Sequence, residues 1–92
     1  MATMRVGLVG CGNIASDICL AVRDRNIPAE VVALTDIDVS RAEALRNDYK
    51  LNACIGTLDG LAGAVDYIVE CAVAAVVPEV VDAAVRHGVD CL

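Results

Sequence analysis

Short apolar runs alternate with stretches of helical periodicity along the whole chain. Apolar runs of this length, bounded by turn residues, predict strands that are buried on both faces of a parallel sheet. They lie at residues 5–9, 30–35, 52–56, 65–70 and 89–92. Strands that alternate with helices through short connections fold with right-handed crossovers. We therefore predict the α/β class: a doubly wound parallel sheet of about five strands in the order 3-2-1-4-5, with helices on both faces.

Between the strands, apolar side chains recur at spacings of three and four residues, which predicts helices with one buried stripe each. The expected stripes are Ile14, Ile18, Ala21 and Val22, then Ala42, Leu45 and Tyr49, and finally Val77, Val80, Val81, Ala84 and Val85. Pro78 at the start and Gly88 beyond the end bound the last helix. For the second helix Asp38 and Ser40 compete as N-cap, and Ser40 would form a capping box with Glu43.

The first strand runs directly into a glycine-rich turn, Gly10-Cys11-Gly12-Asn13-Ile14-Ala15. In the Rossmann fingerprint G-x-G-x-x-G/A, the first glycine makes the turn and the second lets backbone N–H groups approach a pyrophosphate. The third small residue lets helix and strand pack closely. Because the turn opens a helix, unpaired N–H groups and the helix dipole stabilise an anion there. We predict a dinucleotide cofactor bound at Gly10, Cys11, Gly12, Asn13 and Ile14.

The same fingerprint asks for an acidic residue at the end of the next strand, and Asp36 follows the apolar run at 30–35. A carboxylate there accepts a hydrogen bond from the 2′-hydroxyl of the adenine ribose and repels a 2′-phosphate. Ile37, the next residue, supplies no cation for such a phosphate, whereas Arg41 follows on the second helix. The sequence therefore favours NAD, with NADP as the alternative, and adds Asp36 and Ile37 to the cofactor-binding residues.

Ligands of such sheets bind outside the carboxyl ends of the strands, where the strand order reverses. In the predicted order this crevice lies between the first and fourth strands, so the residues after the fourth strand border the cofactor. We predict cofactor contacts there at Cys71, Ala72 and Val73. His87, the single histidine, is interpreted as a cation that stabilises a helix C-terminus. No catalytic residue and no metal ligand is predicted.

Composition narrows the classes of partner and compartment. The chain has 92 residues, enough for one small domain, and 58% of them are hydrophobic. A net charge of −6 with scattered Lys and Arg argues against a nucleic-acid partner. The most apolar stretch, 61–81, is interrupted by acidic residues and a proline, so no membrane span is expected. Five cysteines, an odd number without C-x-x-C spacing, predict mostly buried thiols in a reducing, cytoplasmic setting.

Four segments together resemble the N-terminal NAD(P)-binding domain of the L-aspartate dehydrogenase family. They are Val6–Ala15, Val32–Asp36, Ile68–Ala72 and His87–Asp90, and they span nearly the whole chain. The Val-Glu-Cys-Ala sequence within the third segment is the most specific to that family. The glycine turn and the Thr-Asp-Ile-Asp sequence after the second strand are shared with the wider glucose-fructose oxidoreductase and inositol dehydrogenase superfamily. The chain departs from the family at residues 73–75, Val-Ala-Ala, where the family has a Ser and a polar or acidic residue.

The resemblance implies NAD(P)-dependent oxidation of L-aspartate to iminoaspartate, a step that feeds NAD biosynthesis. In that family a second, downstream domain carries the substrate pocket and the catalytic histidine. We therefore expect residues 1–92 to form one dinucleotide-binding domain that is inactive alone and receives its small-molecule substrate through that further domain, absent here. The short fifth strand would leave a sheet edge, so a homo-oligomer is expected. The alternatives are a sugar dehydrogenase of the wider superfamily and a stand-alone NAD-binding or sensing module.

Overall fold

The computed structural model describes residues 3–24, 28–71 and 77–91. Within these ranges strands and helices alternate. In chain order the elements are β1 (Met4–Val9), α1 (Asn13–Arg23), β2 (Ala29–Thr35), α2 (Val39–Asp48), β3 (Cys54–Ile55), α3 (Leu58–Ala62), β4 (Tyr67–Glu70), α4 (Val77–His87) and β5 (Asp90–Cys91). None of the helices in the described ranges is both long and apolar enough to cross a bilayer.

The strands form one sheet in the order β3-β2-β1-β4-β5, and every adjacent pair is parallel. The predicted fold class and strand order are therefore confirmed. β1 lies at the centre, between β2 on one side and β4 on the other. The strand order thus reverses beside β1, and the crevice of the fold opens where β1 and β4 end.

β2 carries one residue more than β1 over the same span, since seven residues pair with six. Val6 pairs with Val31 but Gly7 pairs with Ala33, so Val32 is the extra residue. Such a bulge changes the alternation of side chains between the two faces of a sheet. Val32 and Ala33, although consecutive, accordingly pack against the same hydrophobic cluster.

Each face of the sheet has its own hydrophobic core. One face is covered by α1 and α2, and its most buried residues are Leu8, Ala15, Cys19, Leu34, Ala42 and Leu45. The other is covered by α3 and α4, with Leu61, Ala62, Ile68, Val80, Ala83 and Ala84. The helices therefore lie on both faces, as predicted.

Two helices bury only part of the stripe that their sequence predicts: Ile18 and Val22 in α1 pack against the core, and Val80 and Ala84 in α4 are buried, as expected. In α1 the buried residues are Ala15 and Cys19, whereas Ile14 is 59% exposed, so placing Ile14 in the buried stripe was wrong. In α4 the core-facing residues are Val80, Ala83 and Ala84, while Val81 and Val85 are exposed. Most of the buried positions of the two helices are small residues, Ala15 and Cys19 in α1 and Ala83 and Ala84 in α4, which need little space between helix and sheet.

Asp38, one of the two candidate caps, is the N-cap of α2, which begins at Val39. The Asp38 carboxylate accepts a 3.1 Å hydrogen bond from the Ser40 N–H. The buried positions of α2 are Ala42 and Leu45, and Tyr49 packs against the same core. This stripe is confirmed.

The cysteines are less buried than the sequence predicts. Cys11 and Cys19 are buried and Cys71 is half-buried, but Cys54 and Cys91 are exposed, and all five thiols are free. The prediction that most are buried was wrong because Cys54 and Cys91 lie in the two outer strands, which are only two residues long.

Candidate functional site

The glycine turn joins the central strand to α1 in a conformation that depends on its first glycine. Gly10 has φ +89°, a value that residues with a side chain rarely adopt. Its N–H donates a 2.8 Å hydrogen bond to the carbonyl oxygen of Thr35 at the end of β2. The turn is therefore fastened to the neighbouring strand immediately after it leaves the sheet.

Gly12 is needed for access rather than for packing within the protein. A Cβ added at this position would meet no atom within 4 Å. The space beside Gly12 is therefore open to a ligand that approaches the backbone. Ala15, the third small residue of the fingerprint, is fully buried against the core, in the packing role that the motif predicts.

The first turn of α1 has no side-chain cap. Asp38 caps α2 and Thr57 caps α3 through side-chain oxygens that accept backbone N–H bonds. The corresponding position of α1 is Gly12, and among the described residues no side chain accepts a hydrogen bond from this turn. The unpaired amides and the positive end of the helix dipole are therefore available to an anion.

Asp36 lies directly beside the turn and is held at both of its carboxylate oxygens. Oδ2 accepts a 2.8 Å hydrogen bond from the Cys11 N–H, and Oδ1 accepts one of 2.9 Å from the Asp38 N–H. A carboxylate has about four lone-pair positions, so both oxygens keep acceptor capacity for hydroxyl groups of a ligand. The structure thus brings the predicted acid to the predicted turn.

The glycine turn and Asp36 line one cavity of about 270 Å³ at the carboxyl ends of β1, β2 and β4. Of the residues predicted to bind a cofactor, it is lined by Gly10, Cys11, Gly12, Asp36, Ile37 and Cys71. Asn13 and Ile14 start α1 and do not line this cavity. Ala72 and Val73 lie outside the described residues.

Arg41, Leu58, Glu79 and Val80 also line the cavity but were not predicted to bind the cofactor. Glu79 and Val80 belong to the first turns of α4, whose N-terminus follows β4. Since the helix after β4 starts at the same crevice, its opening residues were a recognisable signal. Leu58, which starts α3, had no local sequence signal, because the position of α3 depends on contacts made far along the chain.

Two half-buried or buried thiols in the cavity are protonated at neutral pH. Burial, and next the charge of Asp36, raise the pKa of the Cys11 thiol to about 11. Burial, and next the charge of Glu70, raise the pKa of Cys71 to about 11. Because the thiolate is the reactive form of cysteine, neither thiol is activated as a nucleophile.

A second, more open groove of about 560 Å³ lies between α3 and α4. Three of its charged residues pair with one another: Arg86 contacts Asp59 at 2.8 Å and Asp82 at 2.9 Å. His87 lies 3.5 Å from Asp59, roughly 12 Å along α4 from the end that lines the cavity at the turn. The smaller cavity, which has the open space at Gly12 and the uncapped start of α1, is therefore the candidate functional site.

Residues 10–92 match the family described as the homoserine dehydrogenase NAD-binding domain. The chain belongs to this family of NAD-binding domains. The L-aspartate dehydrogenase of Methanothermobacter thermautotrophicus is 39% identical to this NAD-binding domain over 87 residues, covering 90% of the chain and 34% of the relative. That of Methanococcus maripaludis strain C5 is 36% identical over 88 residues, covering 95% and 33%. The chain thus spans about a third of the length of these relatives.

Several solved structures of longer chains are similar to this domain. Myo-inositol dehydrogenase from Lactobacillus casei, in complex with NAD(H) and myo-inositol, superposes with a TM-score of 0.90 at 26% identity. It covers 98% of the NAD-binding domain, which covers 27% of that chain. UDP-N-acetylglucosamine 3-dehydrogenase from Acidithiobacillus ferrooxidans shares the fold, with a TM-score of 0.81 at 21% identity. The fold is therefore that of Rossmann dehydrogenases.

The geometry of the NAD-binding domain fits a dinucleotide at three points. The open space at Gly12 leaves room for a pyrophosphate against the backbone. The uncapped start of α1 offers N–H donors to its charge. The Asp36 carboxylate, held in place beside the turn, offers acceptors to ribose hydroxyls.

Proposed function

We propose that this NAD-binding domain is the cofactor-binding part of an oxidoreductase that converts L-aspartate to iminoaspartate, a step that feeds NAD biosynthesis. The observation that carries the proposal is the meeting of the glycine turn, the uncapped start of α1 and Asp36 at one cavity. The identity of 36 to 39% with two L-aspartate dehydrogenases supports the choice of substrate.

Each part of the cavity has a separate task in this proposal. The backbone from Gly10 to Ile14 holds the pyrophosphate, and Asp36 accepts hydrogen bonds from the adenine ribose. Ile37, whose side chain is 96% exposed, offers an apolar surface to the adenine. Cys71, which lines the cavity at the end of β4, borders the nicotinamide in this proposal, together with Ala72 and Val73, which come next in the sequence and lie outside the described residues.

The chemistry of the reaction is divided between this domain and a second one. NAD, when bound, accepts the hydride, while the residues of this domain bind and orient it. A dehydrogenase also needs a substrate pocket and an acid or base within hydrogen-bond reach of the reacting group. The chain spans about a third of its relatives, which supports the expectation that a downstream domain supplies both.

NAD is the proposed cofactor, and NADP is the alternative that the cavity leaves open. The fixed negative charge of Asp36 opposes a 2′-phosphate. Arg41 lines the same cavity from the first turn of α2 and could offset that charge. Its guanidinium also lies close enough to Asp38 to help lower the pKa of that carboxyl, after the larger effect of the hydrogen bonds from Ser40.

Two assays test the proposal. The isolated 92 residues should bind NADH by isothermal titration calorimetry and show no aspartate-dependent formation of NADH. The whole reading frame that contains the chain should form NADH from NAD and L-aspartate. Absence of NADH binding would refute the cofactor site, and turnover of myo-inositol in place of L-aspartate would refute the substrate.

The second outcome corresponds to the runner-up function, a polyol or sugar dehydrogenase. A TM-score of 0.90 with myo-inositol dehydrogenase favours it on fold alone. A stand-alone NAD sensor is the third reading, and it requires NADH binding with no turnover by the whole reading frame. The assays described above separate all three.

Assembly and location complete the proposal. The outer strand β5 is only two residues long and exposed, and it leaves backbone groups at a sheet edge, which supports self-association. A light-scattering mass that stays monomeric across a wide concentration range would contradict this. Five free thiols support a reducing, cytoplasmic location, which fractionation of cells that express the protein would test.

A further inference from the structure

The two backbone hydrogen bonds of Asp36 indicate a task beyond ribose binding. We propose that Asp36 is the positioning residue of the pyrophosphate turn, so that its carboxylate governs binding at the phosphate end of the site as well as at the ribose end. This inference rests on the proposed location of the cofactor at the turn. It concerns how the turn is held before any ligand arrives.

Three hydrogen bonds fasten the turn to the end of β2. The Gly10 N–H and the Cys11 thiol both donate to the carbonyl oxygen of Thr35, at 2.8 and 3.8 Å. The third joins the Cys11 N–H to Asp36 Oδ2 at 2.8 Å, across 25 residues of sequence. Only this third bond has a charged acceptor, and charge-assisted bonds are about twice as strong as neutral ones. Asp36 therefore supplies the strongest tether of the turn.

The turn needs a tether because of its composition. Glycine loses more conformational freedom on ordering than any other residue, and Cys11 stands between two glycines. If the turn were disordered before binding, part of the binding free energy would be lost in ordering it, and the ligand would bind more weakly. A turn already fixed by Asp36 presents its amides to the pyrophosphate without that loss.

The carboxylate itself is fixed by its second oxygen. Oδ1 accepts from the Asp38 N–H, and the Asp38 side chain in turn caps α2. Rotation of the Asp36 carboxylate would break a bond on one side or the other. Hydrogen bonds therefore connect the turn to Asp36, and Asp36 to the start of α2. This helix is held against the core by Ala42 and Leu45.

Positioning and ribose binding make opposite predictions for a ligand that has phosphates but no ribose. If Asp36 bound only the ribose, its removal would leave the affinity for inorganic pyrophosphate unchanged. Alternatively, the affinity for pyrophosphate would rise, because a negative charge near the anion is lost. If Asp36 positions the turn, its removal weakens pyrophosphate binding despite the lost repulsion. The sign of the change separates the two roles.

The test uses the isotope-labelled chain, titrated with inorganic pyrophosphate and with NADH while the backbone amides of the turn are followed by NMR. In Asp36→Ala we expect pyrophosphate to bind roughly three- to tenfold more weakly. The Cys11 amide should also exchange faster with solvent. Asp36→Asn keeps one oxygen acceptor at the position, so its loss should be smaller, and it serves if the alanine variant does not fold.

Glu43→Ala is the matched control. It removes a carboxylate from the exposed side of α2, and among the described residues Glu43 neither lines the cavity nor makes a hydrogen bond to the turn or to Asp36. It should leave pyrophosphate binding unchanged or slightly strengthen it. Unchanged or tighter pyrophosphate binding by Asp36→Ala, or an unchanged exchange rate at Cys11 in both Asp36 variants, would overturn the positioning role. Failure of the unsubstituted chain to bind NADH would instead refute the proposed function, while the exchange rate at Cys11 would still report on the tether.

Discussion

Leu61 occupies the space in which residue 7 would carry a side chain. A Cβ added to Gly7 would lie 2.6 Å from Leu61 Cδ2 and 2.7 Å from its Cγ. Gly7 is in the middle of β1, and Leu61 is a buried residue of α3. The short helix α3 therefore packs directly against β1, the strand that precedes the glycine turn.

Gly7→Ala should destabilise the fold, because the buried Leu61 has little room in which to move. We expect a loss of about 1–3 kcal/mol in the free energy of unfolding, the usual range for an overfilled core. Urea denaturation measures it. Adding Leu61→Ala should relieve the clash, so that the double variant loses less than the sum of the two single losses. Simple additivity would contradict the contact.

Gly12→Val should abolish NADH binding while the chain stays folded. A Cβ at residue 12 meets no atom within 4 Å outside its chain neighbours, and the valine side chain is expected to occupy the space proposed for the pyrophosphate. Gly56→Val is the matched control, since a Cβ at Gly56 is equally unobstructed but lies away from the cavity. Calorimetric titration should show binding by the Gly56 variant alone. Equal binding by both would place the cofactor elsewhere.

Asp36→Ala should narrow the preference for NAD over NADP. The variant loses a charged acceptor for the ribose 2′-hydroxyl, worth about 1.5–3 kcal/mol, and also the charge that repels a 2′-phosphate. The affinity for NAD should therefore fall and that for NADP should fall less or rise. The ratio of the two dissociation constants is the measurement. A ratio equal to that of the unsubstituted chain would rule out this role in selectivity.

Alkaline pH should destabilise the domain through its buried thiols. Burial raises the pKa of Cys19 from an ordinary value of 9.0 to about 11 in the folded state. Between these values the unfolded chain has lost the thiol proton and the folded chain has kept it, so stability falls as the pH rises. The urea midpoint should be lower at pH 11 than at pH 9. In Cys19→Ala the drop should be smaller, and an unchanged drop would exclude this thiol as a cause.

The strand order and the contact between turn and acid could be predicted because both depend on local patterns. Alternating apolar runs and helical stripes determine which segments become strands, and the handedness of crossovers limits how the strands are ordered. The glycines and Asp36 each lie at the end of such a strand. Once the parallel sheet is formed, neighbouring strand ends bring them together.

The exact faces of the helices could not be predicted in the same way. In α4 the valines at 81 and 85 are more hydrophobic than Ala83, yet Ala83 is buried and they are exposed. The spacing of hydrophobic residues does not show how closely a helix packs against the sheet, which depends on the size of the side chains between them. The contact of Gly7 with Leu61 joins residues 54 positions apart in sequence and leaves no local pattern.

The extra residue in β2 has a consequence for how distant homologues should be aligned. Val32 adds one residue to β2 without adding a paired position to the sheet, so Asp36 lies one residue further along the sequence from Gly12 than it would after a regular strand. In a relative whose second strand has no bulge, the equivalent acidic residue would come one position earlier in the sequence. It would still lie beside the glycine turn. A search that requires a fixed number of residues between the second glycine and the acidic residue would therefore miss equivalent residues. An alignment with a one-residue gap inside the second strand would match them.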